Sequence, residues 1–291
     1  MASTTEADKK TVDEARDAFT NDSAFMIAYE RAIETEKENG LINDPFARML
    51  AGDKGKDLSD SFGISAATDF KLWPDFHKQW TVVRTKFIDD HITKIVSEAE
   101  TNQGHGDGAE RLKIQFLNLG AGLDTRSLRL KPLSRIKASY EVDMSAINEP
   151  KIQLFEAIGA GTKYPFLCPR HIITANMMND GELEANLIEG GFDSEIPTIV
   201  LAEGLIMYLG PKAEAFLEDI SRIVVASGSW LILNFLEHPG LTGEKVRELL
   251  EKGGWKDLTF NCFGDDVLNY GRYEQGYEPS KHFSFVVCRK D

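Results

Sequence analysis

Residues 116–130, FLNLGAGLDTRSLRL, end an apolar run in Gly120-Ala121-Gly122 and continue through Asp124 into a helix-like stretch. A glycine-rich turn between a strand and a helix lets the backbone approach a nucleotide-like ligand. A triphosphate loop needs a lysine and a Ser/Thr hydroxyl after its glycines, whereas Leu123, Asp124 and Thr125 follow Gly122 here. A dinucleotide turn needs a third glycine in the pattern G-x-G-x-x-G, and position 125 is threonine. Asp124 puts a carboxylate where a pyrophosphate would meet the helix N-terminus, which opposes phosphate and suits a cation. S-adenosylmethionine carries sulfonium and ammonium groups and no phosphate, so it fits these demands.

The ends of the following strands add to that reading. YEVD ends at Asp143, about 20 residues past the glycines, where an acid can accept both ribose hydroxyls. Glu141 competes for the role, but Asp143 lies at the carboxyl edge where open α/β sheets bind ligands. TANMMND offers Asn176 to an adenine amino group and Met177 to the ring, with a plain Asn turn as the alternative. AEGLIMYL places Glu203 after the fourth apolar run, where it can pair with the cofactor ammonium or with an arginine. The Asn/Asp-Pro-Pro-aromatic run of DNA amino-methyltransferases is absent. A hydroxyl acceptor would need a general base; among six histidines, His238 in FLEHPG is best placed for it, against a structural or exposed role.

Elements that would position these residues are legible in the periodicity. The first hundred residues read as helical: DSAFMIAYERAIETEKENG stops at Gly40, NDPFARMLAG places Pro45 in a first turn behind an Asp cap, and WPDFHKQWTVVRTKFIDDHITKIVSEAE is a longer helix. TNQGHGDGAE reads as a flexible connection. Beyond it, KIQFLNLG, ASYEVD, HIITANM, PTIVLAEG and GSWLILNFLE read as strands alternating with helices, including one over DTRSLRL. DLTFNCFG and HFSFVVCRK close the chain as two strands without a helix between them. The pattern predicts an α/β fold with a mostly parallel, doubly wound sheet and a closing antiparallel strand. Trp73, Phe76 and Trp80 have helical spacing and read as core more readily than as pocket; NYGRYEQGYEP, with Tyr270, Tyr273 and Tyr277, reads equally as lid or surface loop.

A formal net charge of -14 repels phosphate backbones, so nucleic acid is not an expected partner. No stretch approaches the length of apolar residues that spans a bilayer, and MASTTEADKK lacks a secretory core, so a cytoplasmic protein without a membrane partner is expected. Cys168, Cys262 and Cys288 lie far apart without metal-ligand spacing and read as reduced thiols; no metal is expected.

Together NLGAGLDTRSLRL, YEVDMSAINEPK, AEGLIMYL, LINDPFARML and RTKFIDD resemble the leucine carboxyl methyltransferase family, which includes polyketide-type small-molecule O-methyltransferases, over roughly residues 24 to 236. The resemblance implies a Rossmann-like class I methyltransferase using S-adenosyl-L-methionine, with a helical N-terminal cap at 1–110 and the cofactor-binding domain at 111–291. It implies that Arg84 binds the methionine carboxylate and that Gly120, Ala121, Gly122, Asp124, Asp143 and Met144 line the cofactor. Asn176 and Met177 would flank adenine and Glu203 would lie near the amino group. Arg31, with Tyr29, and Tyr208 would align the acceptor. The family usually has Asp where Asn176 stands, which weakens that contact. The expected acceptor is a carboxylate, or a hydroxyl, of a small molecule. A protein C-terminal carboxylate, a non-catalytic cofactor binder and an NAD(P)-dependent oxidoreductase are the alternatives. Oligomeric state is not legible.

Overall fold

A computed structural model describes residues 22–68, 71–73, 75–103, 110–277 and 281–291. The TNQGHGDGAE connection falls mostly, and the MASTTEADKK terminus wholly, outside the described residues. Contacts divide the chain into two compact units. The first comprises the described residues through Asp89, Gly122–Lys131 and Met144–Leu167; the second comprises Asp90–Ala121, Pro132–Asp143 and Cys168–Asp291. The division is interleaved along the chain, because two connections that follow β-strands pack with the N-terminal helices.

The first unit holds helix α1 (Asp22–Thr35), helix α2 (Ala47–Thr68) and the first part of helix α3 (Phe76–Gln103). α1 ends before the expected Gly40 stop. Thr35 Oγ1 donates back to Arg31 O at 2.8 Å and accepts from the Asp44 N–H at 2.9 Å, so the chain folds back on the helix end. Gly40 is needed in this turn, since a Cβ there would lie 2.3 Å from Glu34 O. α2 starts two residues after Pro45 and is broken at Gly52, whose φ of 56° is outside the helical region. The unit's core joins Phe25, Phe46, Leu50, Leu123, Leu154 and Phe155. Trp73, Phe76 and Trp80 are 3%, 0% and 2% exposed, which makes them core.

Helix α4 (Arg126–Arg129), over the expected DTRSLRL helix, has only 4 residues. Leu130 is extended at ψ 93°, and Pro132 follows inside a 3-10 turn (Lys131–Arg135), where a proline opposes continuation of the α-helix. Helix α5 (Ser145–Ala157) completes the unit's named helices.

The second unit is built on a sheet of β1 (Leu112–Leu119), β2 (Ile136–Asp143), β3 (Arg170–Thr174), β4 (Thr198–Ala202), β5 (Trp230–Leu236), β6 (Trp255–Cys262) and β7 (Phe283–Lys290), in the order β3-β2-β1-β4-β5-β7-β6. The first five strands pair in parallel. β7 inserts antiparallel between β5 and β6. One face follows the two-residue period through Leu117, Leu119, Tyr140, Val142, Val200, Ala202, Leu231 and Leu233. It packs under helices α6 (Glu182–Glu189), α7 (Ala213–Ile223) and α8 (Gly243–Lys252) through Leu187, Phe216, Leu217, Ile220 and Val246. The strand order reverses between β1 and β4, and ligands of open α/β sheets bind beyond the carboxyl ends at that switch point.

Candidate active site

In the second unit, Gly120 and Ala121 leave β1 with both N–H groups donating to the carbonyl of Val142, at 2.9 and 3.1 Å. Gly120 has φ +69°, and a Cβ there would lie 3.0 Å from Leu205 Cδ1, so both conformation and space require glycine. Asp143 ends β2 and is 7% exposed, with its carbonyl accepting from the Ala175 N–H at 3.0 Å. Its competitor is committed elsewhere: the Glu141 carboxylate accepts from Arg170 Nε at 2.8 Å and Nη2 at 2.7 Å in a buried bidentate pair.

Past β3, Asn176 Oδ1 accepts from the Met178 N–H at 3.0 Å, and the Asn176 N–H donates to Glu182 Oε1 at 2.8 Å. The side chain thus makes an Asx turn while one lone pair of the oxygen stays available to a second donor. Met177 is partly buried against the core. Past β4, Glu203 precedes Gly204, whose N–H donates to Asn234 Oδ1 at 2.9 Å. Tyr208 is 66% exposed in the short turn that follows. His238, beyond β5, is exposed, and its Nδ1 accepts from the Gly240 N–H at 3.1 Å. In the neutral ring Nε2 then carries the proton, so this histidine presents a donor. The Tyr270–Tyr277 segment is anchored: Tyr270 Oη donates to Asp90 Oδ2 at 3.1 Å, and Tyr273 stacks edge-on to Phe263 at 5.3 Å.

The strand-end set of this unit, Asp143, Glu203, Asn176 and Met177, combines two carboxylates, an amide and a thioether. That set suits ribose hydroxyls, an ammonium and an adenine ring, and would repel a pyrophosphate.

In the first unit, Arg31 is buried and donates from Nε to Asp44 Oδ2 at 2.8 Å and from Nη2 to Leu123 O at 2.9 Å. Asp44 also accepts from Thr125 Oγ1 at 2.7 Å. Arg129 Nη1 and Arg126 Nε each reach Asp89 at 2.6 Å, and Arg126 closes on Asp124. Burial would raise the Asp44 carboxyl, but Arg31, Arg129 and Thr125 outweigh it and hold it below the usual range. Burial of Asp124 is likewise overcome by Arg126, then by Arg129 and Arg31. The negative charge read in the sequence as suited to a cationic ligand is thus already met by Arg126, and Asp124 Oδ1 caps the turn by accepting from the Arg126 N–H at 2.6 Å. Gly122, with φ 39°, precedes this network. Met144 is 45% exposed at the start of α5, and Arg84 is buried on α3.

Sequence reasoning missed Asp44 as anything but a helix cap, and missed Asp89, Arg126, Arg129 and Asn234 altogether. Each has at least one partner 30 to 81 positions away, beyond any spacing rule.

Residues 24–220 match the model of the leucine carboxyl methyltransferase family. The chain belongs to that family. It is an S-adenosylmethionine-dependent methyltransferase with the Rossmann-like class I fold. A Mycobacterium avium protein named as a candidate S-adenosyl-L-methionine-dependent methyltransferase is 31% identical over 238 residues, covering 78% of this chain and 70% of that one. A Mycolicibacterium smegmatis relative of the same description is 31% identical, with 79% and 71% covered. The crystal structure of a duf574 family protein from Streptomyces avermitilis shares the fold at a TM-score of 0.52 and 13% identity, covering 92% of this methyltransferase and 97% of that chain. Among the described residues, no helix is long and apolar enough to cross a membrane.

Proposed function

We propose that this methyltransferase transfers the methyl group of S-adenosylmethionine to a carboxylate oxygen of its acceptor by in-line displacement. The observation that carries the reading is the family match over residues 24–220, whose description names a leucine carboxyl as the group methylated. A carboxylate is ionised at neutral pH, so it needs no base, and catalysis reduces to holding two reactants in line. The cofactor supplies the electrophilic methyl group.

The roles proposed for the chain follow the resemblance. Asp143 accepts the ribose hydroxyls, Arg84 pairs with the methionine carboxylate, and Asn176 and Met177 receive adenine. The Gly120-Ala121-Gly122 backbone lies along the methionine chain, with Met144 and Asp124 flanking it and Glu203 near the ammonium. Arg31, Tyr208 and His238 serve the acceptor. Support for Asp143 comes from Glu141 being already paired with Arg170.

The family description favours a leucine carboxyl, as at the C-terminus of a polypeptide, as the first acceptor to test. A small-molecule acid is the second, favoured by the net charge of -14, which weakens docking of an acidic protein. Calorimetric titration with S-adenosylhomocysteine, repeated on Asp143→Ala and Arg84→Ala with NAD as control, tests the cofactor roles. Binding lost in both variants with no NAD signal is expected; NAD binding would overturn the reading. A peptide ending in leucine, its C-terminal amide and simple carboxylic acids then compete for labelled methyl. Base-labile product from the free acids alone supports carboxyl transfer.

A further inference from the structure

Glu30 of α1 is 1% exposed, and among the described residues the groups that hold its carboxylate are His77, Thr81 and Ser59. Oε1 accepts from Ser59 Oγ of α2 at 3.0 Å, and Oε2 accepts from Thr81 Oγ1 of α3 at 2.6 Å. The remaining partner is His77 of α3, whose Nδ1 lies 2.8 Å from Oε2 and 3.0 Å from Oε1. Burial would raise the Glu30 carboxyl, but His77, Thr81 and Ser59 outweigh it and keep it ionised. An ionised carboxylate only accepts, so Nδ1 carries a proton, and in the neutral form of the ring the lone pair lies on Nε2. Phe62 of α2 lies against the ring with centroids 4.6 Å apart, fixing its plane. The nearby charges Asp60 of α2 and Asp75 are both within ion-pair distance of Lys78.

A carboxylate that fixes the tautomer and orientation of a histidine is the arrangement by which hydrolases make a base. His238 has the opposite arrangement, with its Nδ1 accepting and its Nε2 protonated. His77, Thr81 and Arg84 stand at i, i+4 and i+7 on α3, one helical face. Two turns, about 10 Å, separate His77 from Arg84 along the helix. With Arg84 on the methionine carboxylate, the sulfonium sits three carbons further on.

We propose that His77 is a general base, oriented by Glu30, that lets this methyltransferase act on a hydroxyl acceptor of phenol or enol type. The inference goes beyond carboxyl transfer and rests on the cofactor role of Arg84 alone. In the step, the acceptor O–H proton passes to His77 Nε2 as the oxygen forms its bond to the methyl carbon. The carbon–sulfur bond breaks and its electron pair stays on sulfur, giving the neutral thioether. The positive charge thus moves from sulfonium to imidazolium, and the proton leaves to water afterwards.

The test uses the full chain with labelled S-adenosylmethionine. Catechol and 3,4-dihydroxybenzoate are the hydroxyl probes, benzoate and hexanoate the carboxylate probes, and mild base separates esters from ethers. Wild type is expected to form a base-stable methyl ether whose rate falls as pH is lowered. His77→Asn is expected to cut its kcat about 100- to 10,000-fold and flatten that pH profile. S-adenosylhomocysteine titration reports the integrity of His77→Asn, and its loss in Arg84→Ala tests the cofactor reading separately. Glu30→Gln, a positioning variant, is expected to lower kcat for ether formation while leaving the KM for the cofactor unchanged. Absence of ether from every hydroxyl probe, or ether formation undiminished in His77→Asn, overturns the proposal. Ester formation surviving in that variant would leave carboxyl transfer standing.

Discussion

Asp44 and Thr125 are 81 positions apart in sequence, yet Thr125 Oγ1 donates to Asp44 Oδ2 at 2.7 Å, on the same oxygen that takes Arg31 Nε at 2.8 Å. The residue that fails to be the third glycine of a dinucleotide turn is therefore a hydrogen-bond donor to a buried acid. Through Asp44 the connection ahead of α2, the helix α1 and the exit of the glycine turn become one polar assembly, in which Arg31, Arg126 and Arg129 alternate with Asp44, Asp89 and Asp124.

Removing one partner from a buried pair strands the others, at a cost of about 3–5 kcal/mol. Asp44→Asn leaves Arg31 without its carboxylate and is expected to lower unfolding stability by that order in denaturant titration. Thr125→Val, which removes one neutral donor, is expected to cost about 1–2 kcal/mol. Equal small losses in both variants would show that the assembly is not cooperative.

Glu30, Asp44 and Asp124 are all held below the ordinary carboxylate range. The folded state therefore binds fewer protons than the unfolded chain near those ordinary values, so the stability from the three groups is full above them and is lost progressively as pH falls toward the lower folded values. Melting temperature is expected to stay level from pH 8 to about 5 and to fall steadily below about pH 4. A level melting temperature to pH 3 would count against the network's ionisation.

Gly120→Ala forces φ +69° on an alanine and sets its Cβ 3.0 Å from Leu205 Cδ1. Backbone strain alone costs about 1–2 kcal/mol, and Gly191→Ala, at φ +84° with nothing within 4 Å of its Cβ, supplies that reference. The Gly120 variant is expected to lose more than the Gly191 variant, and the difference should shrink when Leu205→Ala is added. Thermal melts of the three proteins check this.

Asn234 is 1% exposed and accepts from the Gly204 N–H that follows Glu203. Asn234→Ala leaves that donor without its acceptor, at about 1–3 kcal/mol. Weaker S-adenosylhomocysteine binding with an intact circular dichroism spectrum would link Asn234 to the placement of Glu203. Unchanged affinity would confine it to stability.

Legibility followed the range of the interaction. The strands KIQFLNLG and PTIVLAEG, the closing antiparallel pair and the long helix over WPDFHKQ were readable because hydrophobic period and local punctuation act within a few residues. The DTRSLRL helix was overread, since the stretch itself says nothing of Leu130 turning extended and Pro132 ending the segment. Glu30 and His77, 47 positions apart, left no local signature, and a lone histidine among six pointed to the exposed His238 instead.

By itself the sequence determined the order of strands and helices, the glycine turn and the acids at strand ends, because steric and hydrophobic preferences of neighbouring residues set those. Tertiary structure alone decided which charges meet. Burial makes an unpaired carboxylate too costly to keep, so Asp89 took Arg126, Glu141 took Arg170 and Glu30 took His77, choices that depend on distances across the folded chain.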